Sequence, residues 1–271
     1  MLESHQRQLR KAIKSIAFVV LCGSLTTWVH AQDKNCALVL MHGKWGSPKS
    51  LTSFANRIDS ICEVKSLEMP WSGRRSYDQP YPVALTEIDD QITAFRAKGY
   101  KRILVGGQSF GANAALAYMA TLGNADGLVV LAPGHSPKMM YDLNISKTEV
   151  DKARELVNTG QGEERLSMAD LNQGKRRDMS MSAHTLLSYF DPDGLGHISG
   201  TTQKIKKAIP VLWVIGSADP LFKYGEAYAY ANLPAHSKSQ YLVVDAGHGN
   251  TPDVAANSTL EWIKSLDSSA P

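Results

Sequence analysis

Residues 102–120 read RILVGGQSFGANAALAYMA, and the rest of the chain can be interpreted around them. The apolar run Arg102–Gly106 predicts a buried strand, and Ala112–Ala120 consists mostly of good helix formers. Between them lies Gly-Gln-Ser-Phe-Gly, a G-x-S-x-G pattern that in this context predicts a serine on a sharp strand-to-helix turn. Ser109 is therefore the candidate nucleophile.

Glycine is needed on both sides of this serine. The turn holds Ser109 in a strained backbone conformation, and side chains at Gly107 and Gly111 would collide. The following helix also presents N–H groups and a partial positive charge to an oxyanion. The segment thus supplies a nucleophile and part of its electrostatic environment.

Further apolar runs bounded by turn residues lie on both sides of this segment. Helical periodicity occurs between them, at 51–61 and 85–95, and a short helix is expected at Leu260–Leu266. Strands that alternate with helices predict an α/β fold with a parallel sheet covered on both faces. The six predicted strands are Ala37–Met41, Val64–Met69, Arg102–Gly106, Gly127–Leu131, Pro210–Ile215 and Gln240–Val244.

A serine hydroxyl needs a base, and the base needs an orienting carboxylate. His248 follows the last predicted strand in Ala-Gly-His-Gly-Asn, and Asp219 follows the preceding strand in Gly-Ser-Ala-Asp-Pro. The order Ser, Asp, His is the one expected for this architecture. Substitutes for the base or the acid remain at His184, His197, His236, Asp191, Asp193 and Asp245.

An oxyanion hole needs two N–H donors. We expect one from the backbone of Phe110 and the other from the loop His42-Gly43-Lys44-Trp45-Gly46, at Lys44 with Trp45 as the alternative. The Trp45 side chain suits a wall of the substrate site. The Lys44 side chain is expected to be solvated, with the steering of an acidic substrate as the alternative, and His42 is expected to brace the loop.

The segment 135–208 is far longer than one crossover between strands requires. It contains a helical stretch at Thr148–Val157, and we interpret it as a helical cap, or lid, over the carboxyl edge of the sheet, inserted before the penultimate strand. Its five methionines would either contact substrate or pack the cap onto the sheet. They are Met139, Met140, Met168, Met179 and Met181.

The net charge of +3 comes from the first 31 residues, which contain four basic residues and one acidic residue. The remaining chain is neutral, which argues against a nucleic-acid partner.

Residues 1–31 read as a signal peptide, with a basic start, an uncharged run and Val-His-Ala before a cleavage site near Ala31. An uncleaved anchor or a buried first helix is the alternative. We therefore expect a secreted or periplasmic protein that spans 32–271, without a stable membrane span after cleavage.

Removal of this leader would leave Cys36 and Cys62, an even number in an oxidising compartment. If the strands that follow them are parallel neighbours, both sulfurs lie at one sheet edge and a disulfide can form. Such a bridge would stabilise the fold by roughly 3–4 kcal/mol. Two unrelated buried thiols are the alternative.

The motifs around Lys44, Ser109, Asp219 and His248 resemble those of the α/β-hydrolase superfamily, specifically its exported esterases and peptidase-like members. The resemblance spans nearly all of the chain after the leader. It implies a Ser-His-Asp triad that acts through an acyl-enzyme, with no metal or organic cofactor. The chain departs from the family because nothing resembling the usual first two antiparallel strands precedes Cys36, so a sheet of about six parallel strands is expected.

The leading functional hypothesis is a serine hydrolase that cleaves carboxylic esters, with a small acyl compound as substrate. Thioester or peptide hydrolysis by the same triad is the alternative within this chemistry. Dehalogenase and epoxide hydrolase chemistry is disfavoured because those reactions need a carboxylate where Ser109 stands. A non-catalytic binding protein of the same fold is the alternative from another class. The sequence specifies no oligomeric state.

Overall fold

The computed structural model describes residues 34–267, so the predicted leader lies outside the described residues. Within this part of the chain, six strands form one sheet in the order β2-β1-β3-β4-β7-β8, with every neighbouring pair parallel. A separate antiparallel hairpin, β5–β6, lies between β4 and β7 in the chain. The strands are β1 Cys36–Met41, β2 Cys62–Leu67, β3 Arg102–Ser109, β4 Gly127–Pro133, β5 Arg165–Asn172, β6 Lys175–Ser182, β7 Val211–Gly216 and β8 Gln240–Val244.

Helices follow most strands of the sheet and cover both of its faces, as the alternating pattern predicted. No helix among residues 34–267 is long and apolar enough to cross a membrane. The α-helices are α1 Thr52–Ile58, α2 Tyr81–Ala97, α3 Phe110–Thr121, α4 Pro137–Asp142, α5 Lys147–Asn158, α6 Ala183–Phe190, α7 Ile198–Thr202 and α8 Thr251–Ser265.

Each central strand contributes to two hydrophobic cores, because successive side chains point to opposite faces of a sheet. On one face, Val39 and Val105 pack in the core that includes α2 and α3. On the other, Leu38 and Leu104 pack with residues of α1 and α8. The central strands are buried on both faces, which explains why they appear in the sequence as continuous apolar runs.

The last helix is longer than predicted. It begins at Thr251 rather than near Leu260. Its first turns bury small residues, including Ala255, Ala256 and Thr259. Because these contribute little apolar bulk, the helical periodicity of the sequence becomes visible only near Trp262.

Cys36 and Cys62 form a disulfide, so the prediction of a bridge is confirmed. The two residues are directly paired in the parallel register of β1 and β2. The alternative of two unrelated thiols is therefore wrong. The bridge ties an edge strand to its neighbour at the end of the strands opposite Ser109.

The prediction of a helical cap was incomplete, because 135–208 contains the hairpin β5–β6 as well as α4–α7. Met168 and Met179 face each other across the hairpin and are buried, and the tip at Gln173 and Gly174 has two consecutive positive φ angles. The next inward position after Met168 is Asp170, a carboxylate, so the alternation of apolar and polar residues typical of a strand is broken there.

Candidate active site

Ser109 lies at the junction of β3 and α3 with φ 56° and ψ −116°. A positive φ at a residue with a side chain is strained, by about 1–3 kcal/mol. A Cβ atom at Gly107 or Gly111 would overlap the carbonyl oxygen of Met41 on the neighbouring strand. The two glycines are thus required for two reasons. The turn itself is sharp, and β1 approaches it too closely for a side chain to fit.

The structure brings together the three residues that the sequence singled out. The Oγ of Ser109 lies 2.9 Å from Nε2 of His248, and Nδ1 of His248 lies 2.7 Å from Oδ2 of Asp219. The Asp219 carboxylate can only accept, so Nδ1 carries the proton and Nε2 accepts from the serine hydroxyl. Oδ1 of Asp219 accepts from the N–H of Leu221 at 2.8 Å, which fixes the orientation of this buried carboxylate.

Two polar side chains that the sequence reasoning missed hold the loop of His248. Nε2 of Gln108 donates to the carbonyl of His248 at 3.2 Å, and the N–H of Gly247 donates to Oδ1 of Asn250 at 2.8 Å. Both residues stand next to a motif residue in the sequence. That adjacency was the available signal, since the backbone groups of a loop need hydrogen-bond partners close by.

The loop after β1 lies directly against the serine turn. A Cβ atom at Gly43 would lie 2.5 Å from Oε1 of Gln108 and 3.1 Å from Cβ of Ser109. The N–H of Trp45 donates to the carbonyl of Trp71 at 2.9 Å, which leaves Lys44 rather than Trp45 as the candidate second donor. The N–H of Phe110 is the first of α3 and has no carbonyl partner within that helix.

His42 braces this loop. Its Nδ1 lies 2.8 Å from the carbonyl of Gly43, and its Nε2 lies 3.2 Å from the N–H of Met69. One neutral tautomer satisfies both contacts, with Nδ1 donating and Nε2 accepting. Burial lowers the pKa of His42, which favours this neutral form.

The Lys44 side chain is buried, contrary to the expectation of a solvated lysine. Its Nζ donates to Oδ1 of Asp170 at 2.6 Å and to the carbonyl of Leu171 at 3.1 Å. Burial lowers the pKa of Lys44, and the Asp170 carboxylate opposes that shift. The sequence reasoning missed Asp170, whose only signal is its place as an isolated acid in an otherwise largely uncharged strand.

Asp170 is fully buried and joins three parts of the chain. Besides Lys44, it accepts from Nε1 of Trp45 at 3.0 Å and from the hydroxyl of Tyr77 at 2.8 Å. The Trp45 indole is therefore engaged by the hairpin, and Trp45 does not line the cavity above Ser109, where we had expected it. The cap is thus anchored directly to the loop that carries the candidate oxyanion donor.

A cavity of about 530 Å³ opens above Ser109 and His248. It combines residues at the ends of strands with apolar residues of the cap. Met139 and Met140 line it, whereas Met168, Met179 and Met181 pack the hairpin into the core, so the expected packing role is confirmed for these three. The other apolar cap residues of the lining are Leu143, Ile145 and Leu171.

Gly134 and His135 form the junction between β4 and the cap. A Cβ atom at Gly134 would lie 2.6 Å from Oγ of Ser109, so only glycine leaves room for the hydroxyl there. The His135 ring stacks on Phe110 at 3.9 Å and its Nε2 lies 2.7 Å from the carbonyl of Tyr189. Burial holds the pKa of His135 well below its usual range, and the charge of Lys44 adds to this effect.

The hydrogen-bonded series of Ser109, His248 and Asp219 includes none of the substitutes considered for the base and the acid, and four of these have other partners. His184 pairs with Glu163, and Nδ1 of His236 accepts from the N–H of Lys238. Asp191 pairs with Arg154. Asp245 accepts from the hydroxyl of Ser217, His197 precedes α7, and Asp193 is an exposed residue of the cap.

No protein-family model matches the chain, and no curated protein matches its sequence. Solved structures do resemble it. A monoacylglycerol lipase from Paleococcus ferrophilus is 19% identical, with a TM-score of 0.60 over 84% of this chain and 93% of the lipase. Est1E from Butyrivibrio proteoclasticus, with ferulic acid bound, is 14% identical, with a TM-score of 0.58 over 86% of this chain and 90% of Est1E.

A thioesterase domain from the curacin biosynthetic pathway is 15% identical to the chain, with a TM-score of 0.51 over 84% of this chain and 90% of that domain. At such low identity these likenesses show a common fold. The architecture of the chain is thus one that solved hydrolytic enzymes share.

Proposed function

Because the chain has the α/β-hydrolase fold, we propose that it is a serine hydrolase that cleaves carboxylic esters. The observation that carries the proposal is the continuous hydrogen-bonded series from Ser109 through His248 to Asp219 at the floor of a cavity. Three polar residues from the ends of three strands meet there in the order and geometry that nucleophilic catalysis requires.

In the first half of the proposed reaction, Oγ of Ser109 attacks the ester carbonyl carbon while its proton passes to Nε2 of His248. The carbonyl oxygen becomes an oxyanion, to which the N–H groups of Phe110 and Lys44 donate. When the tetrahedral intermediate collapses, the bond to the leaving oxygen breaks and His248 returns the proton to that oxygen. An alcohol departs and an acyl-serine remains.

In the second half, water attacks the acyl-serine and gives its proton to His248. Collapse breaks the bond to Oγ of Ser109, which recovers the proton from the imidazolium, and a carboxylic acid is released. Asp219 stabilises the imidazolium in both halves without taking the proton. No other reactant is needed.

The decisive experiment replaces the nucleophile. We expect Ser109→Ala to reduce kcat for p-nitrophenyl esters by about 10⁴-fold or more, because the covalent route is removed. A fluorophosphonate should label the wild type and not the variant, and thermal unfolding of the two should coincide. Retained turnover by Ser109→Ala would overturn the proposal, and an unlabelled, inactive wild type would favour a binding protein.

Thioester hydrolysis is the second candidate, and the likeness to a thioesterase domain favours considering it. The same groups would act, with sulfur rather than oxygen leaving. A comparison of kcat/KM for an ester, a thioester and an anilide of one acyl group ranks the leaving groups directly. We expect the oxygen ester to be at least as good a substrate as the thioester and the anilide to be the poorest.

We also propose that the protein is exported after cleavage near Ala31. The disulfide between Cys36 and Cys62 supports an oxidising compartment, because such bridges are rare where thiols are kept reduced. Mass spectrometry of the mature protein should find an N-terminus close to Gln32. A mature protein that retains residues 1–31 would contradict the proposal.

A further inference from the structure

The cavity above Ser109 contains one lysine and otherwise few groups that can carry charge. Asp219 and His248 belong to the proposed catalytic series and are already paired with each other. His135 is buried and neutral, because its pKa is well below the usual range. The character of the cavity toward charged substrates therefore depends on Lys44.

The charge of Lys44 is balanced within the protein by an ion pair with Asp170. Its ammonium group lies 2.6 Å from Asp170, and the side chains are 5% and 0% exposed. Besides its contact with the Leu171 carbonyl, the ammonium faces the rings of Phe110 and Phe190 at 5.9 and 5.4 Å. The cation is enclosed by a carboxylate, a carbonyl oxygen and two aromatic faces, all within the protein.

Much of the remaining wall comes from the cap, whose lining residues after His135 are apolar or, at Ser136, Asn172 and Gln173, polar and uncharged. Met139, Met140, Leu143 and Ile145 lie on α4 and just after it, and Leu171 follows Asp170 in β5. Leu143 is 63% exposed, so the wall extends outward from the site. Asp170 and Leu171 are adjacent residues of one strand, so the element that neutralises Lys44 also supplies part of the apolar wall.

We propose that Asp170 is a specificity-determining residue, which neutralises Lys44 and thereby reserves the cavity for an uncharged aliphatic chain of the ester. The proposal rests on the proposed ester hydrolysis. A substrate chain that ends in a carboxylate would lose its hydration in the cavity without finding a free cation, and burial of an unpaired charge is unfavourable. An aliphatic chain meets no such penalty and gains from each methylene buried.

The first test compares two p-nitrophenyl esters of equal length with the wild-type protein. One is the monoester of adipic acid, and the other carries an isopropyl group in place of the terminal carboxylate. We expect kcat/KM to favour the neutral ester by on the order of a hundredfold. Equal rates, or a preference for the anionic ester, would overturn the proposal.

Chain length gives an independent measurement on the same protein. For straight-chain p-nitrophenyl esters, kcat/KM should rise about fourfold per methylene until the cavity is filled, and then level off. A series that is flat from acetate onward would contradict an aliphatic site. If the fluorophosphonate labels Ser109 while both measurements fail, the substrate inference is wrong and the serine mechanism stands.

The role of Asp170 is tested by Asp170→Asn, which keeps the size of the side chain and leaves Lys44 without its counter-charge. The ratio of kcat/KM for the anionic ester to kcat/KM for the neutral ester should rise by about tenfold or more. The reason is that the substrate can now supply the missing carboxylate. Asp178→Asn is the matched control, because it removes an exposed carboxylate from the partner strand of the same hairpin. An unchanged ratio in Asp170→Asn would overturn the role of Asp170.

The double variant Lys44→Met with Asp170→Leu covers the case in which Asp170→Asn does not fold. A buried ion pair can often be replaced by apolar residues without loss of stability. This variant should keep the preference for the neutral ester, because its cavity contains neither charge. A shift toward the anionic ester would show that the pair does not set the preference.

Discussion

The strand ends and the cap build the same cavity in different ways. At the strand ends, Ser109, Asp219 and His248 are placed by the backbone of parallel strands, and their orientation depends on short-range contacts such as the N–H of Leu221 on Asp219. In the cap, Asp170 is placed by a hairpin and acts on Lys44, 126 residues away. The first region supplies reactive groups, and the second determines what surrounds them.

This difference predicts two kinds of variant. A change at a strand end should alter the rate for all substrates together, because the chemistry is common to them. A change in the cap should alter the ratio between substrates. The proposed shift of ester preference in Asp170→Asn is of the second kind.

The largest effect is expected at Asp219. We expect Asp219→Asn to reduce kcat by about 10⁴-fold, because the amide no longer holds His248 in the right tautomer or stabilises its positive charge. The neutral and anionic esters should lose rate by the same factor. Asp245→Asn is the control, since this exposed residue just after β8 accepts from the Ser217 hydroxyl rather than from His248. Kinetic constants for both esters decide the result.

A smaller effect is expected at the junction of the two regions. Gly134→Ala places a Cβ atom against Oγ of Ser109 and should displace the hydroxyl from His248, with a loss of about 10²-fold in kcat/KM. Gly249→Ala is the matched control, because a Cβ atom there meets nothing within 4 Å although the residue adjoins His248. Equal activity of the two variants would show that the junction tolerates movement.

The smallest effect concerns acid stability of the cap junction. Burial lowers the folded-state pKa of His135 below the usual 6.5, so below that pH the unfolded chain binds a proton that the folded protein does not. The free energy of unfolding therefore does not depend on the titration of His135 above pH 6.5. It falls as the pH is lowered below this value, by at most about 1.4 kcal/mol per pH unit.

His135→Phe retains a ring against Phe110 and removes the titration. Urea unfolding between pH 7 and 5 should show a shallower loss of stability in this variant than in the wild type. His42 titrates in the same direction and remains in both proteins, so some loss of stability should persist. Parallel curves for the two proteins would mean that His135 does not contribute.

The six strands could be predicted because their sequence signals are local. A strand buried on both faces is a continuous apolar run, and every run proposed from the sequence corresponds to a strand of the sheet within one or two residues at most ends. The Cys36–Cys62 bridge was predicted on the condition that β1 and β2 are parallel neighbours, and the structure meets that condition. The last helix was placed too late because its first buried face consists of small residues.

The hairpin in the cap was not predicted, for a physical reason. Met168 and Asp170 share its inward face, and a buried carboxylate is acceptable there only because Lys44, Trp45 and Tyr77 donate to it. None of these partners is near in sequence. The same interaction explains why two expectations were wrong. Asp170 holds the Lys44 side chain away from solvent and the Trp45 side chain away from the cavity wall.

The sequence by itself determined the parallel sheet, the strained serine turn and the order of the three polar residues at strand ends, since each depends on periodicity, glycine placement or chain order. The tertiary structure alone decided which side chains line the cavity and whether the charge of its lysine is available to a substrate. Burial and the pairing of distant charges depend on what a fold brings together, and a local pattern does not contain that information.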